Sequence, residues 1–215
     1  MLWMLEDPRQ LLAWIVAVTL HITIHEFAHA KRAQLAGDPT PELNNRVTLN
    51  PLAHYDLIGT TALLLFRCGW GKPVPVNPLN FRRPRYDDIM VSAWGGFANL
   101  IAAGLLGVVF RILWSQGLAE PYYVVFDACV RCGLILAFFN YIPIYPLDGS
   151  HILLGLLPPP TAMRLEAWYH RFGMIVLIAI IMLPPGGASI AWRVIRYPVL
   201  LLYSLFTGVP LDILF

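Results

Sequence analysis

Several apolar stretches of this chain are long enough to cross a lipid bilayer as helices, and this feature limits the fold more than any other. A spanning helix needs about 20 mostly apolar residues. The stretches that suit a span lie at 11–36, 89–114 and 122–139, with two further candidates at 172–183 and 190–206. Only 13% of the 215 residues are charged, against about 25% in an ordinary soluble domain. The sequence therefore predicts an all-α polytopic membrane protein with about four to six transmembrane helices.

Neither an internal repeat nor a long polar linker divides the sequence, so we expect one membrane-embedded domain over residues 1–215. Its core is predicted at 10–156 and further spans at 161–215. Glu6 and Asp7 stand where a cleaved secretory signal carries basic residues, and the apolar run that follows is long. The first span is therefore expected to be retained.

The basic residues are distributed unevenly around the predicted spans. The connection at 116–121 has no Lys or Arg, whereas eight basic residues lie at the end of the first span or in the long connection that follows it: Lys31, Arg32, Arg46, Arg67, Lys72, Arg82, Arg83 and Arg85. By the positive-inside rule this connection is cytoplasmic. A net charge of only +2, without a basic helix carrying stacking aromatics, argues against nucleic acid as a partner.

The three cysteines, Cys68, Cys129 and Cys132, are too few and of odd number for a disulfide framework. Cys129 and Cys132 form a C-x-x-C pair, but it lies in an apolar helix rather than beside a βαβ pattern. We therefore interpret both as packed thiols rather than as a redox pair.

The connection at 37–88 contains seven prolines and cannot be one helix. Its apolar run at 57–66 is too short to span, which favours an extended or re-entrant element between the first two spans. Residues 72–78, Lys-Pro-Val-Pro-Val-Asn-Pro, are expected to be extended. They could serve as a rigid connector or as an edge that contacts a substrate.

The first span contains the sequence His-Glu-Phe-Ala-His at 25–29. Ionisable groups are costly in hydrocarbon and mark functional sites there. On a helix, His25 and His29 lie on one face and can bind one metal ion together. This H-E-x-x-H pattern is typical of zinc sites in which two imidazoles bind the metal and the glutamate, here Glu26, accepts a proton from water.

A catalytic zinc ion usually has three protein ligands, so a third residue is required. Asp148 is the best candidate, because prolines break the third predicted span shortly before it and broken helices line cavities. The first span reaches the cytoplasmic side just after His29, and the third returns to that side near Asp148. The two halves of the site are therefore expected at similar depth.

Three other histidines are alternative candidates for the metal site. His21 lies one turn before His25, but three histidines in line on one helix cannot easily surround one ion. His151 could be a ligand or a partner of one, although we favour a satisfied polar residue at a helix start. His54 is expected to be a solvated loop histidine outside the metal site, and it is retained only as a candidate substrate contact.

With the 25–29 motif and the Pro-Leu-Asp-Gly run at 146–149 in place, the chain resembles the site-2 protease family of intramembrane zinc metalloproteases. Three more stretches resemble its short bacterial and archaeal members: TLNPLAHYDLIGT at 48–60, GWGKPVPVNP at 69–78, and the small-residue run ending at Asn99. The resemblance extends from the first span to about residue 156. The PDZ or CBS domains that the family commonly carries have no room here.

This resemblance implies that His25, His29 and Asp148 hold one zinc ion and that Glu26 is the general base. Asn140 matches the family's asparagine before the prolines, and Asn99 matches the end of a G-P-x-x-N pattern in which Gly96 here replaces proline. Asn99, Asn140 and His54 are candidates for substrate binding or transition-state support. The expected partners are single-span membrane proteins in the plasma membrane of a prokaryote, cut at a site toward the cytoplasm.

Two other functions are compatible with these residues. A catalytically silent relative would bind membrane proteins without cutting them, but an intact Glu26 and Asp148 argue against it. A metal or ion transporter would also place His and Asp in the membrane, but it does not need a carboxylate directly after a metal-binding histidine.

Overall fold

The computed structural model describes residues 7–56, 59, 71–118, 122–183 and 188–211. Within these ranges all regular secondary structure is helical, and five helices are long and apolar enough to cross a membrane. The prediction of an all-α polytopic membrane protein is confirmed. We number the α-helices α1 to α8 in chain order.

Four of the five candidate spans are single helices: α1 (Pro8–Ala36), α3 (Pro84–Ser115), α4 (Tyr123–Asn140) and α8 (Ile190–Thr207). The other, Pro159–Met182, consists of α6 (Pro159–Trp168), a π-helical turn (Tyr169–Gly173) and α7 (Met174–Met182). The sequence predicted only 172–183 for this span. The helix begins earlier because a proline in its first turn is preset for helical φ, and the polar residues that follow do not interrupt it.

The span α1 has a defined start and end. Its N-cap Asp7 accepts a hydrogen bond from the Arg9 amide at 2.9 Å, and Gly37 closes it with a φ of 108°, a conformation that glycine adopts without strain. The buried residues of α1 are largely alanines. Small residues let helices approach closely, and α1, α3 and α4 accordingly pack against one another.

The third span is broken as predicted. Helix α4 ends at Asn140, residues 141–147 are not helical, and α5 (Asp148–Leu156) begins directly at the predicted metal ligand. Ile142 and Leu147 pack into the core with α3, α4 and α8. This packing fixes the position of the first turn of α5.

Large apolar side chains on α3 are exposed along one face: Trp94, Phe97, Ile101, Leu105, Val108 and Ile112. An apolar stripe of this length suits lipid rather than water. The charges inside the bundle are paired instead. Asp127 accepts hydrogen bonds from Arg131 at 2.8 Å and from the Tyr203 hydroxyl, which joins α4 to α8.

The connection between α1 and α3 is organised around the fully buried Asp38. Its carboxylate accepts hydrogen bonds from the Asn77 amide at 2.8 Å and from the Asn80 and Thr40 side chains at 2.8 and 2.6 Å. Burial opposes the charge, but these donors lower the pKa of Asp38 below its usual value. The short helix α2 (Thr40–Leu43) follows at once.

Residues 71–77 have no regular secondary structure. Of the run predicted to be extended at 72–78, Asn77 has extended backbone angles, whereas Pro78 begins a short 3₁₀ helix (Pro78–Asn80). The predicted re-entrant stretch at 57–66 lies, apart from residue 59, outside the described residues, as does Cys68.

Candidate metal centre

The span α1 and the short helix α5 bring together the three residues that the sequence proposed as metal ligands. His25 and His29 are on α1, and Asp148 is the first residue of α5. His25 Nε2 lies 3.1 Å from Asp148 Oδ2, and His29 Nε2 lies 3.2 Å from the same oxygen. The two Nε2 atoms are 2.9 Å apart. Among the described residues this is the only cluster of three or more His, Cys, Asp or Glu arranged to hold a metal ion.

The arrangement fits zinc. Tetrahedral zinc with bonds of about 2.0–2.1 Å spaces its ligand atoms about 3.3 Å apart, so the observed triangle needs to open by only a few tenths of an ångström. Asp148 Oδ2 is buried and makes no hydrogen bond of good geometry, although two ring nitrogens face it. Converging lone pairs of this kind suit a bound cation. Two imidazoles and one carboxylate form a catalytic zinc set that leaves a fourth position open.

His29 is oriented by the neighbouring helix. Its Nδ1 lies 2.8 Å from the Val91 carbonyl oxygen on α3, so Nδ1 carries the proton and donates it. The lone pair of His29 is then on Nε2, which faces Asp148. Metal-binding histidines are typically held in this way by an acceptor at the other ring nitrogen.

Helix α3 reaches the centre through Gly95. A Cβ atom there would lie 2.6 Å from His29 Cε1 and 2.8 Å from His25 Cε1, which is closer than packed atoms approach. The absence of a side chain at residue 95 therefore lets α3 cover the rings of His25 and His29. In the sequence, Gly95 is one member of the small-residue run that ends at Asn99, and nothing there singles it out.

We expect Gly95→Ala to weaken zinc binding by at least about 100-fold, because it displaces two ligands rather than a residue that supports them. Chelator competition on purified protein in detergent measures the affinity. Gly104→Ala on the same helix is the matched control, since its nearest neighbour would be a Phe206 ring atom at an ordinary 3.4 Å. Equal zinc affinity in the two variants would contradict the close packing.

Glu26 is held by residues 71–77, a segment of the connection between α1 and α3. The Val74 amide donates a hydrogen bond to Glu26 Oε2 at 3.1 Å. This segment is fixed in turn on both sides of Lys72, because the Lys72 amide donates to the His54 carbonyl at 2.8 Å and the Lys72 carbonyl accepts from Arg46. The segment thus places one backbone donor at the predicted general base.

Arg46 was not predicted from the sequence as part of this region. Arg46 is only 4% exposed to solvent. Burial lowers the pKa of the guanidinium, and the nearby negative charge of Glu26 opposes that shift. The sequence shows Arg46 only as a basic residue in a polar loop. It does not indicate that the side chain is buried or which acid it approaches.

The expectation that His54 is solvated was wrong. The side chain is fully buried, and Nε2 contacts the Thr48 carbonyl oxygen at 2.8 Å. The polar residues around it fold over the ring rather than exposing it. His54 is not in the metal cluster. Its side chain contacts Thr48 and its backbone carbonyl accepts a hydrogen bond from the Lys72 amide, so it links these two parts of the connection.

The remaining candidates lie around the centre but outside the ligand cluster. His151 is half-exposed and 3.5 Å from Asp88, and that acid raises the pKa of the ring. Asn140 donates to the Leu136 carbonyl at 2.9 Å, at the end of α4. His21 contacts Asn99 rather than the metal cluster. Cys129 and Cys132 are buried and free.

Two proteins of known sequence match this chain. It is 32% identical over 192 residues to "Putative zinc metalloprotease YwhC" of Bacillus subtilis, covering 85% of each chain. This chain belongs to the site-2 protease-like zinc metalloproteases. It is also 30% identical over 183 residues to "Putative zinc metalloprotease Rip2" of Mycolicibacterium smegmatis, covering 80% of this chain and 65% of that protein.

No family model matches the chain, and no solved structure does either. Membership of the site-2 protease-like group therefore rests on the two relatives. The five apolar helices place the chain among integral membrane proteins, and the names of the relatives agree with zinc as the metal.

Proposed function

We propose that this protein is a zinc endopeptidase that hydrolyses peptide bonds in or near the transmembrane segments of single-span membrane proteins. The observation that carries the proposal is the convergence of His25, His29 and Asp148 on one point, with Glu26 beside the first ligand. His25, Glu26 and His29 lie on the candidate membrane span α1. Asp148 is the first residue of α5, which follows the non-helical break after α4.

Bound zinc would supply Lewis-acid polarisation of the scissile carbonyl and would acidify a water molecule. Glu26 takes the proton of the attacking water and returns it to the leaving amine. Because the Val74 amide occupies Oε2, Oε1 is the oxygen that accepts the proton.

The substrate must be unwound locally, because a helix hides its carbonyl groups in internal hydrogen bonds. Residues 71–77 have no regular secondary structure and adjoin Glu26 through Val74, and we propose that they contact the unwound chain. A photo-crosslinker at Val76 should capture a substrate trapped on a Glu26→Gln variant. The matched position is Leu105, on the lipid-facing stripe, and preferential capture there would remove this part of the proposal.

The active site is proposed to face the cytoplasm of a prokaryotic cell. The basic residues of the first connection support this orientation, and α1 passes from the ligand His29 directly to Lys31 and Arg32. Labelling of single cysteines in a background without Cys68, Cys129 and Cys132 would test it. A membrane-impermeant reagent should reach residue 82 only from the cytoplasmic side.

Metal removal is the direct test of the proposed activity. Purified protein should cleave a single-span substrate, a tight zinc chelator should abolish cleavage, and added zinc should restore it. Equal cleavage before and after chelation would reject the proposal. Metal flux through proteoliposomes without any cleavage would instead favour a transporter.

A further inference from the structure

A line of buried polar side chains leads away from the metal centre into the bundle. His25 Nδ1 lies 3.2 Å from one terminal atom of the Asn99 amide, and the other terminal atom lies 3.1 Å from His21 Nδ1. Asn99 and His21 are both fully buried. One amide therefore bridges a metal-binding histidine to a second histidine one turn earlier on the same helix.

Ligation determines which end of this amide faces His25. Because His25 Nε2 faces Asp148 and His29, its lone pair must be on Nε2, and the ring proton must then be on Nδ1. A protonated Nδ1 is a donor and needs an acceptor. With the amide nitrogen at that point, two donors would face each other, whereas a half-turn of the amide places Oδ1 there at the same distance.

We propose that Asn99 accepts the Nδ1 proton of His25 through Oδ1 and donates from Nδ2 to His21 Nδ1. His21 and Asn99 are then positioning residues that hold His25 in the tautomer that binds the metal. The inference rests on the zinc site of the proposed function. Asn99 and His21 would orient His25 through hydrogen bonds between side chains, whereas the Val91 backbone carbonyl orients His29.

The fully buried position of His21 suits a neutral ring rather than a charged one. If Nδ1 accepts from Asn99, the proton of His21 is on Nε2, which is buried without a hydrogen-bond partner of good geometry; the Cys129 backbone is within interaction range of the ring. Helix α4 makes room for the ring at Gly133, where a Cβ atom would lie 2.8 Å from each ring nitrogen. A bulky apolar residue at 21 would fill the same space more simply, so the buried imidazole calls for a polar role.

This assignment gives Asn99 a different role from the transition-state contact that the family resemblance implies. Its side chain is fully buried, and both ends of the amide are engaged within the protein. A direct donor to a substrate oxyanion would need a free N–H directed into the cleft. Substitutions at Asn99 should therefore alter metal binding and not only turnover.

Zinc affinity of two Asn99 variants separates these roles. Asn99→Leu removes the acceptor and should weaken zinc binding about 10–100-fold. Asn99→Asp keeps an acceptor for His25 and should bind zinc within a few-fold of the wild type. Chelator competition in detergent gives the affinities. Wild-type affinity in both variants with loss of cleavage, or equal weakening in both, would overturn the proposal, and a wild type without zinc affinity would instead reject the metal site.

The tautomers can be read in the wild-type protein without any variant. Zinc-loaded protein with ring-¹⁵N-labelled histidine, studied by two-bond ¹H–¹⁵N NMR correlation in micelles, should show His25 protonated at Nδ1 and His21 protonated at Nε2. A His21→Phe variant identifies the His21 signals. A proton on His21 Nδ1, or on both nitrogens of either ring, would overturn the proposed direction of the chain.

Discussion

Glu26→Gln is expected to lower kcat by at least about 10²–10⁴-fold, the usual contribution of a general base, while zinc affinity and the fold stay unchanged. Glutamine keeps the shape of the side chain and its oxygen can still accept the Val74 amide hydrogen bond, but it cannot take a proton from water. Glu26 is absent from the ligand cluster, so its neutralisation should leave the three metal-binding atoms in place.

Cleavage of a single-span substrate in detergent or proteoliposomes, together with zinc content, measures this effect. Glu42→Gln is the matched control, because Glu42 is an exposed carboxylate that contacts only Gln34 among the described residues. The control should cleave at the wild-type rate. Near-wild-type cleavage by Glu26→Gln would show that another group is the base, and loss of zinc would show that Glu26 supports the metal.

The sequence was sufficient to predict that His25, His29 and Asp148 lie together, because each half of the cluster carries its own local signal. Helical spacing places His25 and His29 on one face, and the prolines before Asp148 end a span at the side where α1 also ends. The helical spacing depends only on residues close together in sequence. The position of Asp148 depends only on the direction in which its span crosses the bilayer. The structure shows the two halves within 3.2 Å of each other.

The supporting residues could not be predicted in the same way, because they depend on the register between helices. Asn99 meets His25 and His21 only because α3 packs on α1 at one particular depth, and Gly95 covers the histidines for the same reason. His54 was misjudged because a polar local sequence indicates exposure, whereas the fold buries the ring against Thr48.

Asp148→Asn is expected to weaken zinc binding by at least about 100-fold, since it alters a ligand itself and outer residues alone change affinity by about 10–100-fold. Asparagine offers a neutral amide oxygen in place of a carboxylate, so the charge that draws a cation to two neutral imidazoles is lost. Cleavage should fall with zinc occupancy. Asp88→Asn is the matched control, because Asp88 is a nearby acid that pairs with His151 rather than with the metal ligands.

Thermal unfolding with and without zinc provides a second measurement of the same substitution. A ligand that binds only the folded state at 100 times its Kd stabilises it by about 2.7 kcal/mol, so zinc should raise the Tm of the wild type and of Asp88→Asn. It should leave the Tm of Asp148→Asn nearly unchanged at the same concentration. If Asp148→Asn instead gained as much stability as the control and kept one zinc ion per chain, the third ligand would have to be another residue, and His151, three positions further along α5, would be the first to substitute.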